Sequence, residues 1–143
     1  MPTNPTGPAV FLPIKPRFAE AIMAGTKRWE FRKRPMIANP ETGLIYATGK
    51  VGLVLGTFKL GHWLSGDAVS LHLRTGFGAG ISLAALEEYL RGRRYGFAFH
   101  VFDVHAFPHP IPRAELPFKI PQSFRYLTDA ELQELVERGN RDA

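Results

Sequence analysis

The chain has 143 residues, 45% of them apolar, no cysteine, and a formal net charge of +5 at neutral pH. That length suits one domain with a sizeable core, and the missing cysteine excludes disulfides, thiolate zinc sites and cysteine nucleophiles. The basic balance selects polyanionic partners without specifying a fold. No apolar run reaches the ~18 residues of a membrane span, and no basic-then-apolar leader opens the chain, so the expectation is a cytoplasmic protein with no membrane partner. Residues 1–9 are rich in Pro and Gly and read as a flexible tail. Val10–Ile14 is a short apolar strand closed by Pro16. Phe18, Ala21, Ile22 and Gly25 recur at helical spacing, with Gly25 a natural C-cap. Trp29 and Phe31 alternate with Arg28, Glu30 and Arg32, the period of a half-buried strand.

Residues 34–43 form a loop, followed by strands over Leu44–Thr48 and Val51–Leu60. In the second strand, Gly52 and Gly56 permit bends. Ser65–Arg74 reads as a helix opened by a Ser cap. Gly76, Gly78 and Gly80 make a mobile connector, a potential lid over a cleft. Ser82–Arg91 is a second helix with Ser82 as N-cap. Tyr95–Phe107 is apolar on both faces and therefore a central strand. Pro108, Pro110, Pro112, Pro117 and Pro121 argue against regular structure beyond it. Thr128 and Glu131 form a capping box for a last helix. The segments divide as 10–127 for the main domain and 128–143 for a C-terminal helix. Several strands with a few helices make the fold class α+β.

The segment Ile14–Pro35 carries seven Lys/Arg against two Glu, a net of +5 equal to that of the whole chain. Glu30 and Arg32 share one strand face, and Arg28 extends that row. Glu30 can accept from an exocyclic amine while Lys27, Arg28, Arg32 and Arg34 meet phosphate. Lys15 points either into the same cleft or into solvent. Tyr46 sits on a strand with Lys50 just beyond, a hydroxyl and a cation able to polarise a phosphate. Ser123-Phe124-Arg125-Tyr126 offers stacking surface and a phosphate contact, or else plugs the end of the sheet with Arg125 paired to an acid. The five histidines show no metal-ligand spacing, so neither a metal nor another cofactor is expected. Arg91, Arg93 and Arg94 extend the basic surface or complement a helix end.

The pattern Gly25-x-Lys27-x-x-Glu30-x-Arg32, after a Lys-Pro-x-x-Ala-x-x-Ile helix, resembles the ASCH domain, a branch of the PUA-like superfamily. Pro121-Gln-Ser-Phe-Arg-Tyr-Leu127 resembles a segment of the small stand-alone prokaryotic and phage members. The resemblance spans roughly Phe11–Leu127. It implies a small PUA-like β-barrel of about five to six strands, mixed or antiparallel, flanked by helices, with a cleft between barrel and first helix. It also implies a partner that is RNA or another nucleobase-containing ligand. On this reading the protein binds RNA or a modified nucleoside in RNA processing or regulation. Lys27, Glu30, Tyr46, Lys50 and Ser123 are the candidate catalytic residues. Lys15, Lys27, Arg28, Glu30, Arg32, Arg34, Phe124, Arg125 and Tyr126 are the candidate nucleic-acid contacts. Alternatives are a metal-independent ribonuclease using Lys50 or Lys27 with Tyr46 and Ser123, an N4-acetylcytidine-type amidohydrolase, and a protein-interaction domain. The family's amidohydrolase branch has Thr three residues after its Lys, where this chain has Glu30, and needs a further acid, for which only Asp67 is at hand.

Overall fold

The computed structural model describes residues 9–141. The tail expected over 1–9 lies outside them except for Ala9, which begins the first strand. Four helices flank a six-stranded mixed sheet. In chain order these are β1 (Ala9–Ile14), α1 (Pro16–Ala24), β2 (Trp29–Arg32), β3 (Thr42–Ala47), β4 (Leu53–Gly66), α2 (Ala68–Thr75), α3 (Leu83–Tyr89), β5 (Gly96–Pro112), β6 (Arg125–Leu127) and α4 (Asp129–Asn140). The strands lie in the order β2-β5-β4-β3-β1-β6. Only β1 and β3 pair in parallel; the other neighbours are antiparallel. No helix among the described residues is long and apolar enough to cross a membrane.

Two long strands of 14 and 17 residues, β4 and β5, form the spine and must bend. Their register slips between Val54 and Gly56, Thr57 and Lys59, and Leu60 and Trp63. Gly56 is required at the first bend, because a Cβ there would lie 2.1 Å from the His105 carbonyl oxygen. The curvature lets one sheet face wrap a core of Val10, Leu12, Ile45, Phe58 and Phe99, onto which α1 lays Ala19 and Ile22. The other face is covered in two places. Leu132 and Leu135 of α4 pack on Phe11, Leu44 and Phe107. Leu71 of α2 and Leu86 of α3 pack on Phe31 and Ala98. Burying such side chains is worth roughly 1.5–3 kcal/mol each, so three patches of this kind hold the layers together.

The ends of α1 follow local chemistry. Pro16 takes the first helical position, where its missing N–H costs nothing. Gly25 adopts a left-handed φ of 83°. Its N–H donates to Ile22 O and the Thr26 N–H donates to Ala21 O, both at 3.0 Å, closing a Schellman motif. α3 and α4 start at Ser82 and at the Thr128–Glu131 capping box, as the sequence implied.

Several expectations are corrected. Ser65 stays in β4, which runs six residues past Leu60, and Asp67 caps α2 instead by accepting from Ser70 N at 2.8 Å. The Gly76–Gly80 connector is a 3₁₀ turn over Gly76–Ala79, docked by a 2.8 Å hydrogen bond from Arg28 N to Gly78 O. β5 continues through Pro108, Pro110 and Pro112. Pro108 and Pro110 fall in the slip between the Gly56–Ala106 and Val54–Ile111 pairs, where β5 has no paired residue on β4, and no strand lies on its other side, because β2 pairs only with 97–100. Proline is tolerated on such an edge. A short strand, β6, adds to β1 where the sequence suggested only a recognition segment.

Candidate functional site

A cleft of about 400 Å³ opens between α1, the end of β2 and the 122–123 segment. Its lining includes Lys15, Lys27, Glu30, Arg32, Lys33, Thr48, Tyr89 and Ser123. The helix end aims Lys27 at it. After the Gly25 reversal the Lys27 N–H also reaches Ala21 O, at 3.1 Å, which turns the side chain back under α1. Lys27 is only 2% exposed and Glu30 7%. The Lys27 ammonium donates to Ala79 O at 2.6 Å and sits 5.1 and 4.9 Å from the ring centroids of Phe18 and Phe31. Gly80 is needed beside it, since a Cβ there would lie 2.6 Å from Lys27 Cγ.

Burial pushes the Lys27 ammonium below the ordinary lysine range; the Glu30 carboxylate opposes this and the Arg32 guanidinium adds to it. Arg32 Nη2 donates to Glu30 Oε2 at 2.7 Å and to Pro13 O at 3.2 Å, while Nη1 donates to Ser123 O at 3.3 Å. One side chain thus ties edge strand β2 to β1 and to the segment leading into β6. Arg32 Nε is buried with no hydrogen-bond partner among the described residues.

Arg32, Lys33, Tyr89 and Ser123 also line a second hollow of about 540 Å³, so cleft and groove are continuous. The groove adds Arg34, Arg93, Phe124 and Tyr126, and no acid lines it. Phe124 and Tyr126 meet edge-to-face with centroids 5.3 Å apart, and the Tyr126 hydroxyl accepts from Ala38 N at 3.0 Å. Burial holds the Tyr89 phenol above its ordinary range, which keeps it a donor at the rim.

Of the residues singled out from sequence, Lys15, Lys27, Glu30, Arg32 and Ser123 share the cleft, and Arg34, Phe124 and Tyr126 the groove. Four are placed elsewhere: Arg28, Arg125, Tyr46 and Lys50. Arg28 precedes β2, lies in the turn and is exposed, so Lys27 rather than Arg28 accompanies Glu30. Arg125 turns to the opposite side of β6, bridging Glu131 at 2.9 Å with its guanidinium 4.2 Å from the Phe118 ring centroid.

Tyr46 and Lys50 form a separate group. The Tyr46 ring is buried against Phe11, and its hydroxyl ends 3.6 Å from where a Gly52 side chain would begin, at the β3–β4 turn that carries exposed Lys50. Thr48, at the start of that turn, lines the cleft. Asp67, the acid an amidohydrolase would need, is engaged as the α2 cap. Sequence reasoning placed Thr48 at the end of the Leu44–Thr48 strand without giving it a part in the cleft, and missed Tyr89, which comes from a helix end with no periodic signal. Among the described residues no group of three His, Asp or Glu side chains could hold a metal.

The engaged Arg125 leads to a first expected result. Its hydrogen bond and charge hold the Glu131 carboxyl below the ordinary glutamate range. A folded pKa below the unfolded one contributes stability above the unfolded value, lost as pH falls through the folded value. Arg125→Ala is therefore expected to lower stability by about 0.2–1 kcal/mol, a difference between variant and wild type that vanishes in acid denaturation.

A curved mixed sheet, a first helix and a buried Lys-Glu-Arg floor opening into a cationic, aromatic groove define a small ligand-cleft protein built for an anion. No family model matches the chain. A curated protein of Zymomonas mobilis subsp. mobilis, named an ASCH domain-containing ribonuclease, is 36% identical over 127 residues, covering 85% of each chain. The crystal structure of ASCH from Zymomonas mobilis is 33% identical, covers 90% of this chain and 94% of that one, and superposes with a TM-score of 0.82. A serine-to-alanine variant of the Zymomonas protein is 31% identical over 96% of this chain and 99% of that one, with a TM-score of 0.84. The chain belongs to the ASCH domain family.

Proposed function

We propose that this protein binds single-stranded RNA along the groove and cleaves it at the Lys27–Glu30–Arg32 floor. The observation that carries the reading is a buried cation pair around one carboxylate, with the Arg32 Nε donor unspent, at the end of a groove of four further or shared cations and three aromatic rings. The Zymomonas relative's name supports carrying ribonuclease activity to this chain. The sheet is read as a PUA-like barrel whose seam between β2 and β1 is the Arg32 side chain rather than a backbone ladder.

In this reading Glu30 Oε1, the oxygen not bound to Arg32, accepts the proton of a ribose 2′-hydroxyl. That oxygen attacks phosphorus while the 5′-oxygen leaves. Lys27, whose lowered pKa makes it a better acid near neutrality, donates the proton to the leaving oxygen. Arg32 Nε and the Ser123 hydroxyl donate to the phosphoryl oxygens as charge grows on them. The products are a 2′,3′-cyclic phosphate and a 5′-hydroxyl, and water returns the proton from Glu30 to Lys27. Lys50, exposed on the β3–β4 turn, adds a phosphate contact there, and the buried Tyr46 holds that turn from beneath.

Labelled single-stranded RNA incubated with the protein in EDTA should give cyclic-phosphate ends. A single 2′-deoxy substitution at the cut site should block cleavage but preserve binding. Salt-independent binding, or binding without cleavage, would remove the nuclease assignment. The groove cations make a separate forecast. Arg34→Ala and Arg93→Ala should each weaken binding similarly for all sequences and reduce the salt slope of log K by about one, read by titration at several salt concentrations.

A further inference from the structure

Trp29 follows Lys27 by two residues and directly precedes Glu30, yet it turns to the opposite face of β2. There it lies opposite His100 of β5 in the strand register. The register slip between Leu60 and Trp63 throws His62 outward, with its ring 5.2 Å from Trp29 and 5.9 Å from His100. Trp29 and His100 are 5.2 Å apart, and Phe102 stacks on His100 at 5.6 Å with planes within 11°. Trp29, His62 and His100 therefore form a triangle of rings across β2, β4 and β5, with Phe102 stacked on its His100 corner. His62 and Phe102 are exposed, Phe102 by 45%.

One flank of Trp29 rests on the cluster that α2 and α3 form with Phe31 and Ala98 and on the 3₁₀ turn at Gly78, so the open rings are His62 and Phe102. Gly61 keeps the face open: a side chain there would begin 3.1 Å from His100 Cβ and Nδ1. Arg28 is exposed at one end, while Lys59, paired with Phe102 in the strand register, turns its ammonium to Thr42 Oγ1 at 2.9 Å. Asp103, next to Phe102, is paired with His105 at 3.0 Å. Exposed rings beside a guanidinium suit unpaired bases and the phosphates between them.

We propose that this outer face is a second nucleic-acid surface, on which bases of a single-stranded RNA stack against the exposed His62 and Phe102, backed by Trp29 and His100, while Arg28 meets a phosphate. The inference rests on the RNA reading of the cleft and adds to it: the ligand is a strand long enough to reach both faces, not a nucleoside.

The test uses two 2′-O-methyl oligouridylates, which cannot be cut by 2′-hydroxyl attack. One is a trinucleotide, which the cleft with its floor of cations holds by itself, the other a dodecanucleotide that can reach both faces. A His62→Ala/Phe102→Ala double variant changes exposed rings and leaves all three cores intact. The dodecamer should bind this variant at least about tenfold more weakly than wild type, with trinucleotide affinity unchanged. In a Trp63→Phe background, leaving Trp29 as the only tryptophan, the dodecamer should quench emission and the double variant should abolish that quenching. Equal dodecamer affinity for both proteins, or unaltered Trp29 emission, overturns the second surface. A dimer that dissociates on substitution overturns it as well and makes the face a protein contact. Failure of wild type to bind either oligonucleotide instead defeats the RNA reading of the cleft, so the two failures are distinct.

Discussion

Lys27→Met is expected to reduce RNA cleavage about 10²–10³-fold in kcat/KM while leaving the fold intact, the loss typical of one preorganised transition-state donor. Methionine keeps the hydrophobic stem that Gly80, Phe18 and Phe31 pack against and removes only the ammonium. The neighbouring ion pair survives because Arg32 still neutralises Glu30 at 2.7 Å. The structural loss is one hydrogen bond to Ala79 O, about 1–3 kcal/mol at most. It is offset because a desolvated cation no longer has to be buried.

The pH dependence carries the same signature. Lys27's folded pKa lies below its unfolded value, so between them the unfolded chain binds more protons and stability rises with pH. Thermal melts across that alkaline window should show the rise in wild type and not in Lys27→Met. If Lys27 is the general acid, the wild-type rate also falls as pH climbs through the same folded pKa, and the variant's residual rate lacks that limb. A variant that cleaves normally would remove Lys27 from the chemistry whatever its affinity for RNA.

Glu30→Ala should be the most destabilising single change at the site, by about 3–5 kcal/mol, because it leaves two cations buried without their anion. Lys27 and Arg32 both depend on that carboxylate, and Lys15 and Lys33 stand at the rim of the same cleft. For a domain of this size the loss corresponds to a drop in Tm on the order of 10 °C. Glu30→Gln keeps an acceptor for Arg32 and should lose clearly less stability, yet it cannot take a proton and should be as inactive as the alanine variant. A calorimetric series of the two variants, with and without sulfate, checks the cause. Sulfate, as a replacement anion, should restore part of the Tm of Glu30→Ala. Equal melting of both variants, or no response to sulfate, would mean the carboxylate is not what holds the cations.

The parts of the fold legible in the chain were those governed by chemistry within a few residues. Pro16, the Gly25 reversal, Ser82 and the Thr128–Glu131 box satisfy their own helix ends, so their meaning does not depend on distant contacts. The alternation of Trp29, Glu30, Phe31 and Arg32 marked a strand with two unlike faces, and the concentration of charge in 14–35 located the cleft. Misreadings arose where a remote neighbour decides. Pro108, Pro110 and Pro112 look like strand breakers until β5 is seen to lack a partner on that side. Ser65 loses the cap to Asp67 because β4 extends to pair with the start of β5. For Arg125 the sequence left a phosphate contact and a pairing with an acid both open; β6 pairs with β1 and the strand period turns it toward Glu131, the second of these.

From its residues alone the chain establishes a basic, cysteine-free α+β domain whose electrostatic character is concentrated at Lys27, Glu30 and Arg32. Periodicity and capping are local, and charge is additive. Only the tertiary structure decides that Lys27 is buried, that Arg32 joins two sheet edges, and that Ser123 from the far end of the chain faces them. It also separates Tyr46 and Lys50 from that floor and gathers four rings into one cluster on the opposite face. Those outcomes depend on how far β4 and β5 bend and where the ends of the sheet meet, which is set by contacts between residues roughly 50 to 90 positions apart, as in the Lys27–Ala79 and Arg32–Ser123 hydrogen bonds.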